Sequence, residues 1–433
     1  MKIIKFTIIL LCLLAGRVHA QDKLILDISA AREHALLYNR NIKNSGLAID
    51  HSHERLREAI SAGLPQVNAS ADYSNAMGAQ ISIQFDENMP ATQIPIRPTS
   101  NFNLQVGQLI FNGSYIVGIQ LAKLGRILSE KNLQKTEQDV VSQVTESYFL
   151  TLLSEESLKI LRNNTDNLKD VFRKTEPLVR VGMLEKLELD QLSVQVNSLS
   201  NAVRSAERQY EMAKNMLRLQ LGVTAETELE LTDNLVDIIE QEMGPDADLS
   251  FVMALNADYQ LLEVQEELTE KQIDLQKAAY LPTVTGFYNY TYKLLKPAFD
   301  MSPPHIVGLQ MNIPVFSSGE RRSKVRQAKI DLETTKNNKA LMEEQLDIQF
   351  RQMQFNLKNA WENYETQKRN VEVSREVYLN LRRKFEQGMI SGLELTTADS
   401  NYLQAESEYL NSLLEVLRSR NALETLTGKL LSN

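Results

Sequence analysis

The chain has 433 residues, with 47 lysines and arginines against 56 acidic residues and a formal net charge of −9. That balance argues against a nucleic-acid partner, which favours a basic patch. The one cysteine, Cys12, excludes a disulfide framework.

Met1 to Ala20 reads as a secretory signal peptide. Lys2 and Lys5 precede the apolar run Phe6 to Ala15, and Val18-His19-Ala20 offers a small-residue exit before Gln21. The run is too short to stay as a membrane anchor. Bulky Leu11 before Cys12, with apolar residues continuing beyond it, argues against lipid modification there. Removing Lys2, Lys5 and Arg17 leaves 44 basic against 56 acidic residues, a net charge of −12, and no cysteine. No later segment offers the roughly 20 apolar residues of a membrane helix. A membrane-embedded form of this chain is therefore a closed β-barrel, the other structure that satisfies its backbone in lipid.

Ser29 to Gly63 reads helical and closes on Leu64-Pro65. Gln66 to Met77 then alternates, with Val67, Ala69, Ala71 and Tyr73 opposed to Gln66, Asn68, Ser70, Asp72 and Ser74. After a loop with Pro90, Pro95 and Pro98, a second run sets Phe102, Leu104 and Val106 against Asn103, Gln105 and Gly107. Strands of this kind suit a barrel wall between lipid and water. A soluble half-buried sheet shows the same alternation, so the strands alone leave both readings open.

Between Ser114 and Val181 the only glycines are Gly118 and Gly125, and the only proline is Pro177. A helix of that length reaches on the order of 100 Å. Pro177 predicts a kink or an early end near the following turn, because an interior proline costs about 3 kcal/mol. Beyond Gly182, the positions Leu189, Leu192, Val196, Leu199, Val203, Ala206, Tyr210, Ala213 and Leu217 keep the 3-4 spacing of a coiled-coil seam. An acidic segment with Gly244-Pro245, residues 223–248, then reads as a linker.

The second half repeats this order. Val284, Tyr288, Tyr290 and Tyr292 oppose Thr285, Asn289 and Thr291, with Phe287 breaking the polar side. Past Pro297, Pro303 and Pro304, Val307, Leu309, Met311 and Ile313 oppose Gly308, Gln310 and Asn312. The final seam is Leu395, Ala398, Tyr402, Ala405, Tyr409, Ser412, Val416, Ser419 and Leu423, with a second apolar stripe at Leu403, Leu410, Leu414 and Leu417.

The repetition has a period of about 206 residues. Gly182-Met183-Leu184-Glu185-Lys186-Leu187-Glu188-Leu189 recurs as Gly388-Met389-Ile390-Ser391-Gly392-Leu393-Glu394-Leu395, and Gly222 recurs as Gly428. Leu104-Gln105 and Phe111 match Leu309-Gln310 and Phe316, and Leu64-Pro65 matches Leu281-Pro282. The expected organisation is a signal peptide (1–20), a first repeat (21–222), an equatorial linker (223–248) and a second repeat (249–433). Four strands cannot close a barrel, since a small barrel needs about eight. In lipid the remaining strands come from further copies of the chain, in closed rotational symmetry.

The element order, the two Leu-Pro steps, Phe316-Ser317-Ser318-Gly319-Glu320-Arg321-Arg322 and the paired Gly-Met-x-x-x-Leu-Glu-Leu turns resemble the TolC outer membrane efflux proteins, over nearly the whole mature chain. The resemblance implies an α+β, mostly α fold. Long α-helical hairpins form a periplasmic barrel, and each protomer of a homotrimer gives four strands to a twelve-stranded transmembrane β-barrel. It implies an exit duct in the outer membrane of a Gram-negative bacterium, serving tripartite efflux or type I secretion. The implied partners are a periplasmic adaptor, an inner-membrane transporter and outer-membrane lipid, with no cofactor. On this reading Val67, Tyr73, Phe102, Leu104, Val106, Tyr288, Tyr290, Val307, Leu309 and Met311 belong to the membrane strands.

The resemblance also assigns Val181, Gly182, Met183, Gly388, Met389 and Ile390 to an adaptor-docking tip. Glycine there can take the left-handed conformation that ends a helix, so an ordinary helix–helix turn accounts for it equally. Ser391 and Glu394 have capping-box spacing, whereas Glu185 stands in the serine position of the first copy and makes a weaker cap. Relatives line a periplasmic constriction with acids, and the matching positions are Glu188 and Glu394. A further acidic position of some relatives falls on neutral Thr397, and a basic one falls on Ile390.

No catalytic constellation is present. His51 and His53 point about 200° apart on a helix and cannot share a metal, and there is no phosphate loop or nucleophile elbow. Two other classes stay open: a secreted structural coiled coil without a pore, and a periplasmic adaptor, which has one hairpin and compact β-domains where this chain has two hairpins.

Overall fold

The computed structural model describes residues 23–84, 90–242, 250–295 and 302–431. The expected signal peptide, Pro297 and the Gly244-Pro245 end of the linker lie outside the described residues. In chain order the elements are β1 (Lys23–Leu26), α1 (Ile28–Tyr38), α2 (Arg40–Ser61), β2 (Gln66–Ser74), β3 (Gln80–Ile83), β4 (Thr92–Pro95) and β5 (Thr99–Asn112). There follow α3 (Gly113–Arg180), α4 (Lys186–Leu221), β6 (Glu228–Leu231), α5 (Leu235–Glu242) and α6 (Ala257–Ala278). The chain continues through β7 (Thr283–Lys293), β8 (His305–Asn312), α7 (Glu320–Glu386) and α8 (Gly392–Thr427). The fold is α+β and mostly α. Among the described residues, no helix is long and apolar enough to cross a membrane.

Two compact units divide these elements. One comprises residues 47–132 and 260–342, the other residues 1–46, 133–259 and 343–433. The first is built on an antiparallel sheet in the order β2-β5-β7-β8, with β3 and β4 forming a separate two-stranded ribbon. The expected loop after β2 thus contains a short hairpin in which Ile81 faces Ile94.

The second unit holds the tip-side parts of the helical hairpins, from residue 133 of α3 and residue 343 of α7 onward. Seam positions Leu192, Leu199, Ala206, Ala213 and Leu217 of α4 are buried, as are Leu395, Ala398, Ala405, Val416 and Leu423 of α8. Leu410, Leu414 and Leu417 of the second stripe are buried too, so α8 packs on two sides. The hairpin helices match in length: 68 and 67 residues going out, 36 and 36 returning. Pro177 does not end α3. Three more residues stay helical, the Pro177 carbonyl accepts from Val181 N–H at 3.2 Å, and α3 ends at Arg180, the position equivalent to the end of α7 at Glu386.

The sequence reading differs from the structure at two further points. The first expected helix is broken at Asn39, an extended residue between α1 and α2. Its amide donates to the Gln220 carbonyl at 2.6 Å, and Asn256 donates in the same way to the Leu426 carbonyl at 3.0 Å. Residues 223–242 of the expected linker carry β6 and α5. β6 pairs in parallel with β1, while Leu229, Leu235 and Ile239 enter the core. Asp233 ties the segment down by accepting from Ile28 N–H at 2.8 Å and Tyr148 O–H at 2.9 Å.

Candidate channel wall and hairpin tips

The strand register brings the predicted wall residues onto one face. Val67, Val106, Tyr288 and Val307 form a single row across all four strands. The next rows are Ala69, Leu104, Tyr290 and His305, then Ala71, Phe102 and Tyr292. Tyr73, Leu309 and Met311 fall on this face by the period-two alternation of their strands. A register shift between Leu109 and Phe111 leaves Ile110 unpaired and returns Phe111 to the apolar side opposite Val284. Among the described residues much of this face is left open: Val307 is 81% exposed and Leu309 75%, with Leu104, Val106 and Tyr290 half-buried in the middle of the sheet. That is the reverse of a soluble half-buried sheet, which hides its apolar side.

The other face is polar. Asn68, Gln105 and Asn289 align, and Asp72 accepts from the amides of Asn101 at 3.0 Å and Asn103 at 2.9 Å. Thr291 Oγ1 donates to the Asn103 side-chain Oδ1 at 2.9 Å. Apolar exceptions are Ile306 opposite Asn289, Leu109 opposite Thr285, and Phe287, which stands opposite Gly107 and Gly308, where a Cβ on Gly308 would lie 2.6 Å from its ring. β2 and β8 are the two edges, and among the described residues neither has a strand on its outer side.

Both tips end their outgoing helix in one hydrogen-bond pattern. Gly182 (φ 76°) donates to Val179 O at 3.0 Å and Met183 to Leu178 O at 2.9 Å. Gly388 (φ 72°) donates to Phe385 O and Met389 to Lys384 O, each at 2.9 Å. These are Schellman turns, which satisfy the last carbonyls of α3 and α7. They leave Val181, Met183 and Met389 in solvent, with Ile390 half-buried. The starts of the returning helices differ: Ser391 Oγ accepts from Glu394 N–H at 3.3 Å, whereas Glu185 makes no side-chain cap. Beside the tips the two hairpins share an apolar cluster containing Leu168, Val171, Leu192, Leu199, Tyr378, Leu395 and Ala398.

Residues 31–223 and 252–429 match the outer membrane efflux protein family. The chain belongs to this family. It is 23% identical over 304 residues to the probable outer membrane lipoprotein SilC of Salmonella typhimurium, covering 68% of this chain and 62% of SilC. It is 22% identical over 309 residues to the outer membrane protein TolC of Salmonella enteritidis, covering 68% and 60%. The matches thus span about three fifths of the length of these relatives. The fold resembles crystalline CusC, studied for the changes accompanying folding and transmembrane channel formation, with a TM-score of 0.74, 16% identity and coverage of 93% and 92%.

Within this efflux-family chain the two acids expected at a constriction have different surroundings. Glu188 is half-buried and lies against Gly392, where a Cβ would be 3.5 Å from Oε2, and that oxygen has no hydrogen-bond partner. Glu394 is exposed and lines a cavity of about 440 Å³ with Val373, Val377 and Leu393. A third acid, Asp399, is only 2% exposed, and its Oδ2 has no partner. Burial, reinforced by the Glu406 carboxylate and opposed by Arg382, pushes its pKa up to about 6. Burial also raises Glu406, to which Tyr402 and Asn164 hydrogen-bond, and the Tyr402 ring stacks on Tyr378 at 5.6 Å. Sequence reasoning passed over Asp399, although a signal existed. Continuing the stripe Leu417, Leu414, Leu410 and Leu403 towards the tip at 3-4 spacing lands on Asp399, and Glu406 lies on the same line. Among the described residues, no group of His, Cys, Asp and Glu could hold a metal ion.

Proposed function

We propose that the chain is one protomer of a homotrimeric exit duct in the outer membrane. It is a passive conduit that an inner-membrane transporter energises through a periplasmic adaptor. On this reading each half, residues 21–222 and 249–433, supplies two strands and one helical hairpin, and residues 223–248 form the equatorial linker. The observation that carries the proposal is the uncovered apolar sheet face bounded by two open edges. An unpaired edge in hydrocarbon leaves amides and carbonyls unsatisfied at several kcal/mol each, so neighbouring copies complete the sheet. The polar face then lines a wet lumen.

Purified mature protein in planar bilayers tests this directly, with a conducting trimer expected. Val106→Arg should cost about 2–4 kcal/mol of barrel stability, the midplane cost for a cation facing lipid. Its neighbour Gln105→Arg should be tolerated with altered conductance. A water-soluble, non-conducting monomer, or equal damage from both arginines, rejects the duct.

The tip residues Val181, Gly182, Met183, Gly388, Met389 and Ile390 form the adaptor-docking surface in this proposal. The mature chain lacks cysteine, so Met183→Cys and Met389→Cys give clean crosslinking positions, and adaptor should be captured at both. Glu188 and Glu394 are proposed as constriction rings that favour cations. An unchanged reversal potential in Glu394→Gln argues against the ring.

A further inference from the structure

Where β8 passes into α7, the chain carries two features that a channel wall does not require. The first is an uncovered apolar stretch after the last strand residue, Asn312. Val315 is 88% exposed and Phe316 84%, with Ile313 also exposed. Tyr280 and Leu281, at the foot of the adjacent strand β7, are exposed as well. The second feature is charge. Residues 320–329 contain Arg321, Arg322, Lys324, Arg326 and Lys329 against the single acid Glu320, in a chain whose net charge is −9. The stretch following β5, residues 114–123, contains only Lys123. The basic run is thus peculiar to the second half.

The cations divide by geometry. Arg321 is held in place, donating from Nη1 to Pro314 O at 2.9 Å with its guanidinium over the Tyr280 ring at 5.7 Å. Lys324 pairs with Glu320 at 2.6 Å. Arg322, Arg326 and Lys329 are all exposed and stand at i, i+4 and i+7, which places them on one stripe of α7. Their positions span about 10 Å of helix, comparable with the depth of a lipid headgroup layer.

We propose that this junction is an interfacial anchor, seated against the anionic phospholipid headgroups of the leaflet nearest α7. Val315 and Phe316 enter the edge of the acyl layer, and Arg322, Arg326 and Lys329 engage lipid phosphates. An apolar wedge beside a basic stripe is the chemistry that binds anionic membrane surfaces. Net repulsion between an acidic protein and an anionic leaflet makes a local basic patch more consequential, since the field decays within about 8 Å at physiological salt. The inference rests on the outer-membrane reading above.

Two measurements on the mature trimer test it. In a Trp361→Phe background, which removes the only tryptophan, Phe316→Trp serves as the reporter. Its emission should be quenched at least about twofold by phospholipids brominated near the headgroup end of the acyl chain. In detergent, phosphatidylglycerol should raise the Tm more than phosphatidylcholine. The triple variant Arg322→Gln, Arg326→Gln, Lys329→Gln should lose most of that Tm difference while conducting normally. An unquenched reporter, a preference that survives the triple variant, or a stronger response to lipid A than to phosphatidylglycerol overturns the anchor. So does loss of trimer on gel filtration, which assigns the patch to the contact between copies. A conducting trimer without lipid preference sinks only the anchor, whereas a protein that never conducts sinks the duct.

Discussion

Gly222 and Gly428 close the returning helices α4 and α8, and Gly182 and Gly388 close the outgoing helices α3 and α7. All four adopt φ between 72° and 76°. Their surroundings separate them. At the tips a Cβ would meet nothing within 4 Å. At the other end it would lie 2.4 Å from the Tyr38 carbonyl oxygen for Gly222, and 2.5 Å from that of Leu255 for Gly428. Beside each contact, Asn39 or Asn256 bonds the carbonyl two residues before the glycine. One conformation thus does two jobs. At the tip it only turns the chain, whereas at the base it also admits a second backbone.

The largest expected effect breaks the base. Gly222→Ala or Gly428→Ala meets left-handed strain of about 1–2 kcal/mol and, in addition, a backbone atom that cannot move aside. Each should cost more than about 3 kcal/mol, read as a fall in urea midpoint for the purified protein. Gly182→Ala and Gly388→Ala carry the strain alone, about 1–2 kcal/mol. Equal losses at both ends would show that the close approach is relieved by small shifts and that the comparison has no energetic content.

A smaller effect separates the two hairpins. Asp399 and Glu406 of the second correspond to Ser193 and Ser200 of the first, at the same spacing of 206 residues. Asp399 faces Tyr378 and Arg382 on α7 and Glu406 on its own helix. Its folded pKa of about 6 lies above the ordinary value of 3.8, so the folded chain holds a proton that the unfolded chain releases. The stability this contributes is present below about pH 4 and is lost as pH rises towards 6. Asp399→Asn should therefore raise stability at pH 7 by on the order of 2 kcal/mol and flatten the pH dependence of Tm between pH 4 and 6. Ser193→Asn should leave that dependence intact. If Asp399→Asn keeps the wild-type slope, the buried acid is solvated by water in solution.

What the sequence disclosed follows the range of each interaction. The alternating faces of β2, β5, β7 and β8 and the seams of α4 and α8 were legible because strand and helix periods are local patterns. The tip turns were legible because only glycine fits them cheaply. The break at Asn39 was not, since its cause is the Gln220 carbonyl 181 positions away. The β1–β6 pair was missed because four-residue strands joined across the chain leave too short a pattern. The bulge at Ile110 shows only in the register with β7, and Asp399, although it continues the apolar stripe of α8, reveals its burial only in the packed fold. Pro177 suggested an early end to α3, yet α3 and α7 stop at equivalent positions, Arg180 and Glu386.

The smallest effect lies in the two caps. Ser391 satisfies the Glu394 amide of α8, and its replacement by alanine should cost about 1 kcal/mol. Glu185 occupies the matching place before α4 without a side-chain bond, although its charge still complements the positive end of the helix. Glu185→Ser exchanges that charge interaction for a hydrogen bond, so the expected gain is only about 0.5 kcal/mol. Amide exchange at the first turn of α4 measures it, with slower exchange expected at residue 188 in the serine variant. If exchange there is unchanged while Ser391→Ala accelerates exchange at residue 394, the first tip holds its turn through Gly182 and the Schellman bonds alone. The asymmetry between the hairpins would then be a property of the backbone, beyond repair by a single side chain.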